Sequence, residues 1–221
     1  MIDAVLFDLY ETLITEAPVA PTRASSLFAV LGLERTAYRT LWQARRPRIV
    51  VGELSFAQAL TEISQTLAGT VDVVGIQRLC QQRVREKADA CARPDDQIMA
   101  LITELVRRNV RLGVISNGFK EDVIPWPSCA LAPAFRCTAF SCDEGVAKPD
   151  PEIYLRALHR VGVKPEAALY VGDGGDDELA GAEAIGIRAV RAAWFAAPAA
   201  HALPWPELRR CDEVLSLIPA G

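Results

Sequence analysis

The sequence has no apolar run approaching the roughly 18–20 residues of a bilayer span, so no membrane-spanning helix is expected in it. It has no excess of positive charge: Lys+Arg number 24 against Asp+Glu 28, for a net charge of −4 and a pI near 5.3. That balance argues against a general nucleic-acid or acidic-membrane binder. Histidine is scarce, with only His159 and His201, and neither has a partner suggesting a ligand role. The six cysteines (Cys80, Cys91, Cys129, Cys137, Cys142, Cys211) include no CxxC pair and no zinc spacing, which points to reduced core thiols. The opening MIDAVLFDLY lacks the basic n-region of a signal peptide and reads as a strand, so a cytoplasmic location is expected. Internal repeats, low-complexity tracts and Gly/Ser linkers are also missing.

What remains is globular. The 221 residues are 51% hydrophobic and 24% charged, enough for one large α/β domain or a core with a smaller companion. Short continuous apolar runs occur at Ile2–Leu9, Val110–Ile115, Phe135–Phe140, Ala167–Val171, Ile187–Ala193 and Val214–Ile218. Runs of this kind suit strands buried on both faces of a parallel sheet. Helical patterns at Asp96–Arg108, Pro151–Val161 and Asp177–Ala184 alternate with them, predicting a doubly wound, Rossmann-like α/β sheet.

One connection is too long for a crossover. Residues 16–88 carry helical patterns at Pro21–Leu31, Thr36–Arg45, Ser55–Leu67 and Val74–Lys87, with Ser55 and Gln58 spaced as a capping box. The expected organisation is therefore a core of residues 1–15 and 89–221 with a small all-helical subdomain, 16–88, seated on the sheet. Its Arg35, Arg39, Arg45, Arg46 and Arg48 read as a solvated helical face in preference to a selector of anionic substrate, and Trp42, Trp126, Trp194 and Trp205 as packing anchors. The stiff stretch Pro125-Trp126-Pro127 is expected near the ligand-binding face.

Open parallel sheets bind ligands beyond the carboxyl ends of their strands. Here those ends carry Asp8-Leu9-Tyr10-Glu11-Thr12, Ser116-Asn117-Gly118, Lys148-Pro149-Asp150 and Asp173-Gly174-Gly175-Asp176-Asp177-Glu178. Each alone has a plainer reading: Asp8 as a turn residue, Asp150-Pro151 as a helix start, the acidic run as a charged helix N-terminus. Together, on successive strand ends, they form a chemical set. Asp8 is a candidate nucleophile kept ionised by Lys148 and a metal ion; Ser116 and nearby amides suit an oxyanion; Asp173, with Asp177 or Glu178 behind it, offers hard oxygens for Mg²⁺.

These stretches resemble the four motifs of the haloacid dehalogenase (HAD) superfamily: VLFDLYETL, VISNG, AKPDPEIY and YVGDGGDDELAGA. The resemblance implies a Rossmann-like core, a mobile helical cap inserted after the first motif, and an intermediate on Asp8. It also implies substrate contacts at Ser116, Asn117, Gly118 and Lys148, and a Mg²⁺ site of Asp8, the Tyr10 carbonyl, Asp173 and, preferred over Glu178, Asp177. Two features pull apart. Phosphatases of the superfamily typically place an Asp at the position of Tyr10 to protonate the leaving oxygen, whereas Tyr there resembles the L-2-haloacid dehalogenase branch. That branch lacks the Gly-Asp kept here as Gly172-Asp173, and its cap Trp-Arg pair reads Trp42-Gln43; Glu11 also replaces the usual Gly. The expectation is a Mg²⁺-dependent phosphatase of a small phosphorylated metabolite, with a metal-independent haloacid dehalogenase as alternative and a decayed binding or regulatory module as a third reading. The expected oligomeric state is monomer or homodimer.

Overall fold

The computed structural model describes residues 1–16, 27–195 and 204–218. Six parallel strands form one sheet: β1 (Ala4–Phe7), β2 (Arg111–Ser116), β3 (Cys137–Phe140), β4 (Ala168–Gly172), β5 (Arg188–Ala192) and β6 (Glu207–Leu208), in the order β3-β2-β1-β4-β5-β6. The central strand β1 pairs Phe7 with Val114 of β2 on one side and with Val171 of β4 on the other. Every residue of β1 and β4 is buried. Alternation still decides which face each side chain serves. Val5 and Phe7 pack with Ile98, Leu101 and Leu105 of α4 (Asp96–Arg107), while Ala4 and Leu6 pack with Ile153, Tyr154 and Ala157 of α7 (Pro151–Val161). The doubly wound α/β architecture is as expected.

Local chemistry explains the helix boundaries. Asp150 caps α7 by accepting the Glu152 N–H at 2.9 Å, with Pro151 at the first helical position. Asp95 does the same for α4 through the Gln97 and Ile98 amides. The short helices α5 (Lys120–Val123) and α6 (Ser141–Glu144) follow β2 and β3, and α8 (Glu178–Ala184) follows β4.

Between β1 and α4 lie α1 (Arg35–Val50), α2 (Phe56–Ala68) and α3 (Val73–Cys91), which build an apolar cluster of their own around Tyr38, Trp42, Phe56, Leu60 and Ile63. The capping box at Ser55 and Gln58 is present, with both hydrogen bonds made. Residues 21–26 of the expected first helix, and His201, lie outside the described residues; residues 27–32 form turns.

Two readings need correction. Val214–Ile218 is not a strand: it belongs to a 3-10 segment, Cys211–Leu217 and the residue after it, whose Cys211 and Val214 pack into the same cluster as α4. The sixth strand is instead the two-residue Glu207–Leu208. Pro125 and Trp126 are buried, the tryptophan against Phe135 and Phe140, so these two serve core packing, while Pro127 is exposed. All six cysteines are free thiols, four of them buried.

Candidate active site

The strand order reverses direction of progression between β1 and β4, the switch point where loops diverge and leave a crevice. Asp8 sits there. Its N–H donates to the Val171 carbonyl at 2.9 Å, extending the ladder by one residue, so its carboxylate is delivered at the strand tip.

Lys148 is buried and faces it. The ammonium donates to Asp8 Oδ1 at 2.5 Å, to the Tyr170 hydroxyl at 3.1 Å, and to Glu178 Oε2. Asn117 clamps the lysine's backbone: its Oδ1 accepts the Lys148 N–H at 2.8 Å and its Nδ2 donates to the Lys148 carbonyl at 2.9 Å. Glu178, at the start of α8, also accepts the Tyr170 hydroxyl at 2.7 Å on Oε2 and the Gly174 N–H at 3.0 Å on Oε1. Tyr154 completes its support by donating to the Glu178 carbonyl at 2.8 Å. Asp173, half-buried, accepts the Gly175 N–H at 3.0 Å. Carboxylate oxygens of Asp8, Asp173 and Glu178 lie within 4.8 Å of one another.

This arrangement coincides with clear relationships to known proteins. A family model described as haloacid dehalogenase-like hydrolase matches residues 2–185. The chain belongs to the haloacid dehalogenase-like hydrolases. It is 33% identical over 119 residues to the phosphoserine phosphatase of Thermus thermophilus, covering 49% of this chain and 47% of that protein, so the match spans about half of that relative's length. To the N-acetylmuramic acid 6-phosphate phosphatase of Pseudomonas aeruginosa it is 27% identical over 175 residues, 77% of this chain and 73% of that one. Among solved structures, a 2-haloacid dehalogenase from Pseudomonas syringae pv. Tomato superposes with a TM-score of 0.71 at 24% identity, covering 99% and 98% of the two chains. An HAD phosphatase from Thermococcus onnurineus gives 0.69 at 20% identity, with 99% of each chain covered. These two likenesses establish the fold.

Within this HAD fold the geometry brings together Asp8, Lys148 and Asp173 of the expected set and leaves others outside. Asp177 is exposed and takes no part in the carboxylate cluster; Glu178, one residue on, occupies that place. The backbone explains the shift: Asp176 and Asp177 both adopt left-handed conformations (φ 50° and 53°), which turns the next side chain inward. Gly172 leaves the room, since a Cβ there would stand 2.1 Å from Glu178 Oε1. Ser116 is buried at the tip of β2. The Gly118 N–H donates to Ser141 Oγ at 3.1 Å and the Asn117 amide is engaged with Lys148 and Asp176, so both serve the scaffold. Tyr10 points its hydroxyl at the Asp122 carbonyl (2.7 Å), with the Lys87 ammonium 3.8 Å from its ring centroid; burial first, then neighbouring acids, hold its phenol above the usual range.

Charge is the dominant property of the crevice. Burial raises the Asp8 carboxyl to about 7 against the pull of Lys148, with Glu178 and Asp173 adding to the rise. Burial also raises Asp173. Lys148 is held above the ordinary lysine value: burial opposes its charge, and Asp8 with Glu178 outweighs that. Three carboxylates therefore lie around one ammonium, an arrangement with the capacity to hold a further cation. The donor set is all hard oxygen, which suits Mg²⁺. Both Glu178 oxygens already accept hydrogen bonds, so Asp8 and Asp173 carry the capacity for it.

Sequence reading missed Tyr170, Tyr154 and Ser141. Tyr170 had a signal: a phenol in the middle of an aliphatic, two-face-buried strand must find a polar partner.

Proposed function

We propose that the protein is a Mg²⁺-dependent phosphatase of a small phosphorylated compound, acting through an aspartyl-phosphate on Asp8. The observation that carries this reading is the crowding of Asp8, Asp173 and Glu178 around a single buried Lys148 at the switch point. A halide displacement needs no such concentration of carboxylates, whereas phosphoryl transfer needs a cation between the nucleophile and a phosphate dianion. The phosphatase names of the curated relatives agree with it.

Asp8, Asp173 and the Tyr10 carbonyl would hold Mg²⁺, with Glu178 fixing Lys148 and the β4–α8 turn behind them. When bound, the ion would neutralise phosphate charge and polarise the phosphoryl group. The residues do the rest. Lys148 favours the ionised form of Asp8 against the effect of burial and holds its oxygen at the tip of β1, and the ammonium charge attracts the incoming phosphoryl oxygens. Asn117 holds Lys148 through both of its backbone polar groups, so the ammonium needs no reorganisation during transfer. Asp8 attacks phosphorus, the bond to the leaving oxygen breaks, and water then cleaves the aspartyl-phosphate to return the free carboxylate. Residues 16–88 would act as a cap over this crevice, seated on a core of 1–15 and 89–221.

Tyr10 favours the second reading, a haloacid dehalogenase with an aspartyl ester on Asp8. One measurement separates them. Phosphate release from phosphorylated metabolites should require Mg²⁺ and vanish with chelator, with Asp173→Ala, and with Asp8→Asn while each variant stays folded. Halide release from 2-chloropropionate that persists in excess chelator would establish the dehalogenase reading instead.

A further inference from the structure

Phosphoryl transfer from an alcohol ester requires a proton for the departing alkoxide, and the side chains of the first strand-end motif, with Glu178 and Asp122 around it, are committed elsewhere. Tyr10 occupies the position two residues beyond Asp8. Its hydroxyl proton is already given to the Asp122 carbonyl at 2.7 Å, and the face of its ring is covered by the Lys87 ammonium. Lys87 in turn is ion-paired with Glu16. Glu11 turns away at a left-handed φ of 57°, where its carboxylate accepts the Glu16 N–H at 2.9 Å and the Thr15 hydroxyl at 3.1 Å; it closes the turn after β1. Glu178 is buried and bound by Lys148, Tyr170 and Gly174. Asp122 is buried in an ion pair with Arg83 at 2.7 Å. Tyr10, Glu11, Glu178 and Asp122 are thus each held by other partners and not free to meet a leaving oxygen.

A cation is available instead. Arg46 of α1 reaches from the helical insert to Asp176 on the β4–α8 turn (3.5 Å), and Asp176 accepts from Asn117, the residue that clamps Lys148. Arg45 and Arg48 of the same helix pair within the insert, to Glu62 and Glu53. Arg46 alone of these three touches the strand-end loops.

Resting on the phosphatase reading, we infer that the substrates are those whose leaving group departs as a weakly basic anion: acyl phosphates and phosphoanhydrides rather than alkyl phosphate esters, with Arg46 receiving the anionic leaving group. In the first step an Asp8 oxygen bonds to phosphorus, the phosphorus–oxygen bond to the carboxylate or phosphate leaving group breaks, and the electron pair leaves with that oxygen; no proton is transferred. In the second step water attacks phosphorus and the Asp8–phosphorus bond breaks. The Asp8 carboxylate is restored and both protons of the water remain with the released dihydrogen phosphate.

The test measures kcat/KM for phosphate release, in Mg²⁺, from acetyl phosphate, pyrophosphate, p-nitrophenyl phosphate, phenyl phosphate and ethyl phosphate. Acetyl phosphate or pyrophosphate should exceed ethyl phosphate by about 10³-fold or more, and the aryl pair should fall steeply with leaving-group basicity, because general acid help is worth roughly 10²–10⁴-fold. The two anionic leaving groups are told apart by their own rates. Arg46→Ala should reduce kcat/KM for pyrophosphate more than for p-nitrophenyl phosphate, and Tyr10→Asp should narrow the gap by raising ethyl phosphate. Comparable rates on ethyl and acetyl phosphate would overturn the inference and leave the phosphatase reading standing. No phosphate from any of the five would overturn the phosphatase reading itself.

Discussion

At the scale of single residues, the position of Glu178 shows where sequence spacing stops being informative. Asp173 and Lys148 were legible because strand-end placement alone brings them to the crevice. The choice between Asp177 and Glu178 depends on two successive left-handed residues, Asp176 and Asp177, and no local pattern of side chains announces that turn. Glycine supplied a clue of a different kind. Gly172 is the last residue of β4, and a methyl group there would stand 2.1 Å from Glu178 Oε1 and 3.0 Å from the Tyr170 ring. Gly172→Ala should therefore push Glu178 off Lys148 and leave the ammonium held by Asp8 and Tyr170 alone. Turnover should fall by roughly 10²-fold, the cost attached to misplacing a catalytic group by about 1 Å. The sheet itself should survive. Steady-state kinetics alongside circular dichroism would check both halves, and an active Gly172→Ala protein would mean that Glu178 does not position Lys148.

At the scale of elements, boundaries were readable wherever a side chain satisfies a helix end. Ser55 with Gln58, Asp95, and Asp150 with Pro151 all mark true starts. The C-terminal region was not readable for a related reason. A two-residue strand such as Glu207–Leu208 is too short to carry a period, while Val214–Ile218 offers apolar residues that a 3-10 turn can bury equally well against α4. The capping box gives the element-scale prediction. Ser55→Ala leaves the Gln58 N–H without its acceptor at 3.1 Å, a change worth about 1 kcal/mol, or roughly 2–4 °C in melting temperature for a chain of this size. Thermal unfolding followed by ellipticity measures it. No shift would mean that water replaces the serine without loss, as its exposed position allows. Ser55→Asp, which can accept the same bond, should restore the wild-type value.

At the scale of the whole molecule, the helical insert and the sheet share side chains. Phe119, which follows the second strand-end motif, belongs to the insert's own apolar cluster: its ring lies 5.8 Å from both Trp42 and Phe56, with the Arg83 guanidinium 4.7 Å from its centroid. Arg83 is ion-paired to Asp122, three residues further along. A second junction runs through Ser141, whose hydroxyl donates to the Val50 carbonyl at 2.7 Å while accepting the Gly118 N–H. Val50 is the last residue of α1, so this bond satisfies one of the orphan carbonyls of a helix end. Gly52, at a φ of 75°, brings the chain so close that a Cβ would meet the Cys142 carbonyl at 2.2 Å. The insert thus needs the sheet domain to complete its core. Truncating Phe119 to Ala removes the shared ring, a loss of about 3–5 kcal/mol for a buried aromatic, and leaves the sheet's two apolar layers untouched. Amide exchange should then accelerate across α1, α2 and α3, while β1, β2 and β4 keep their protection. Equal acceleration in both regions would show that the insert and the sheet unfold as one cooperative unit, with Phe119 stabilising both together.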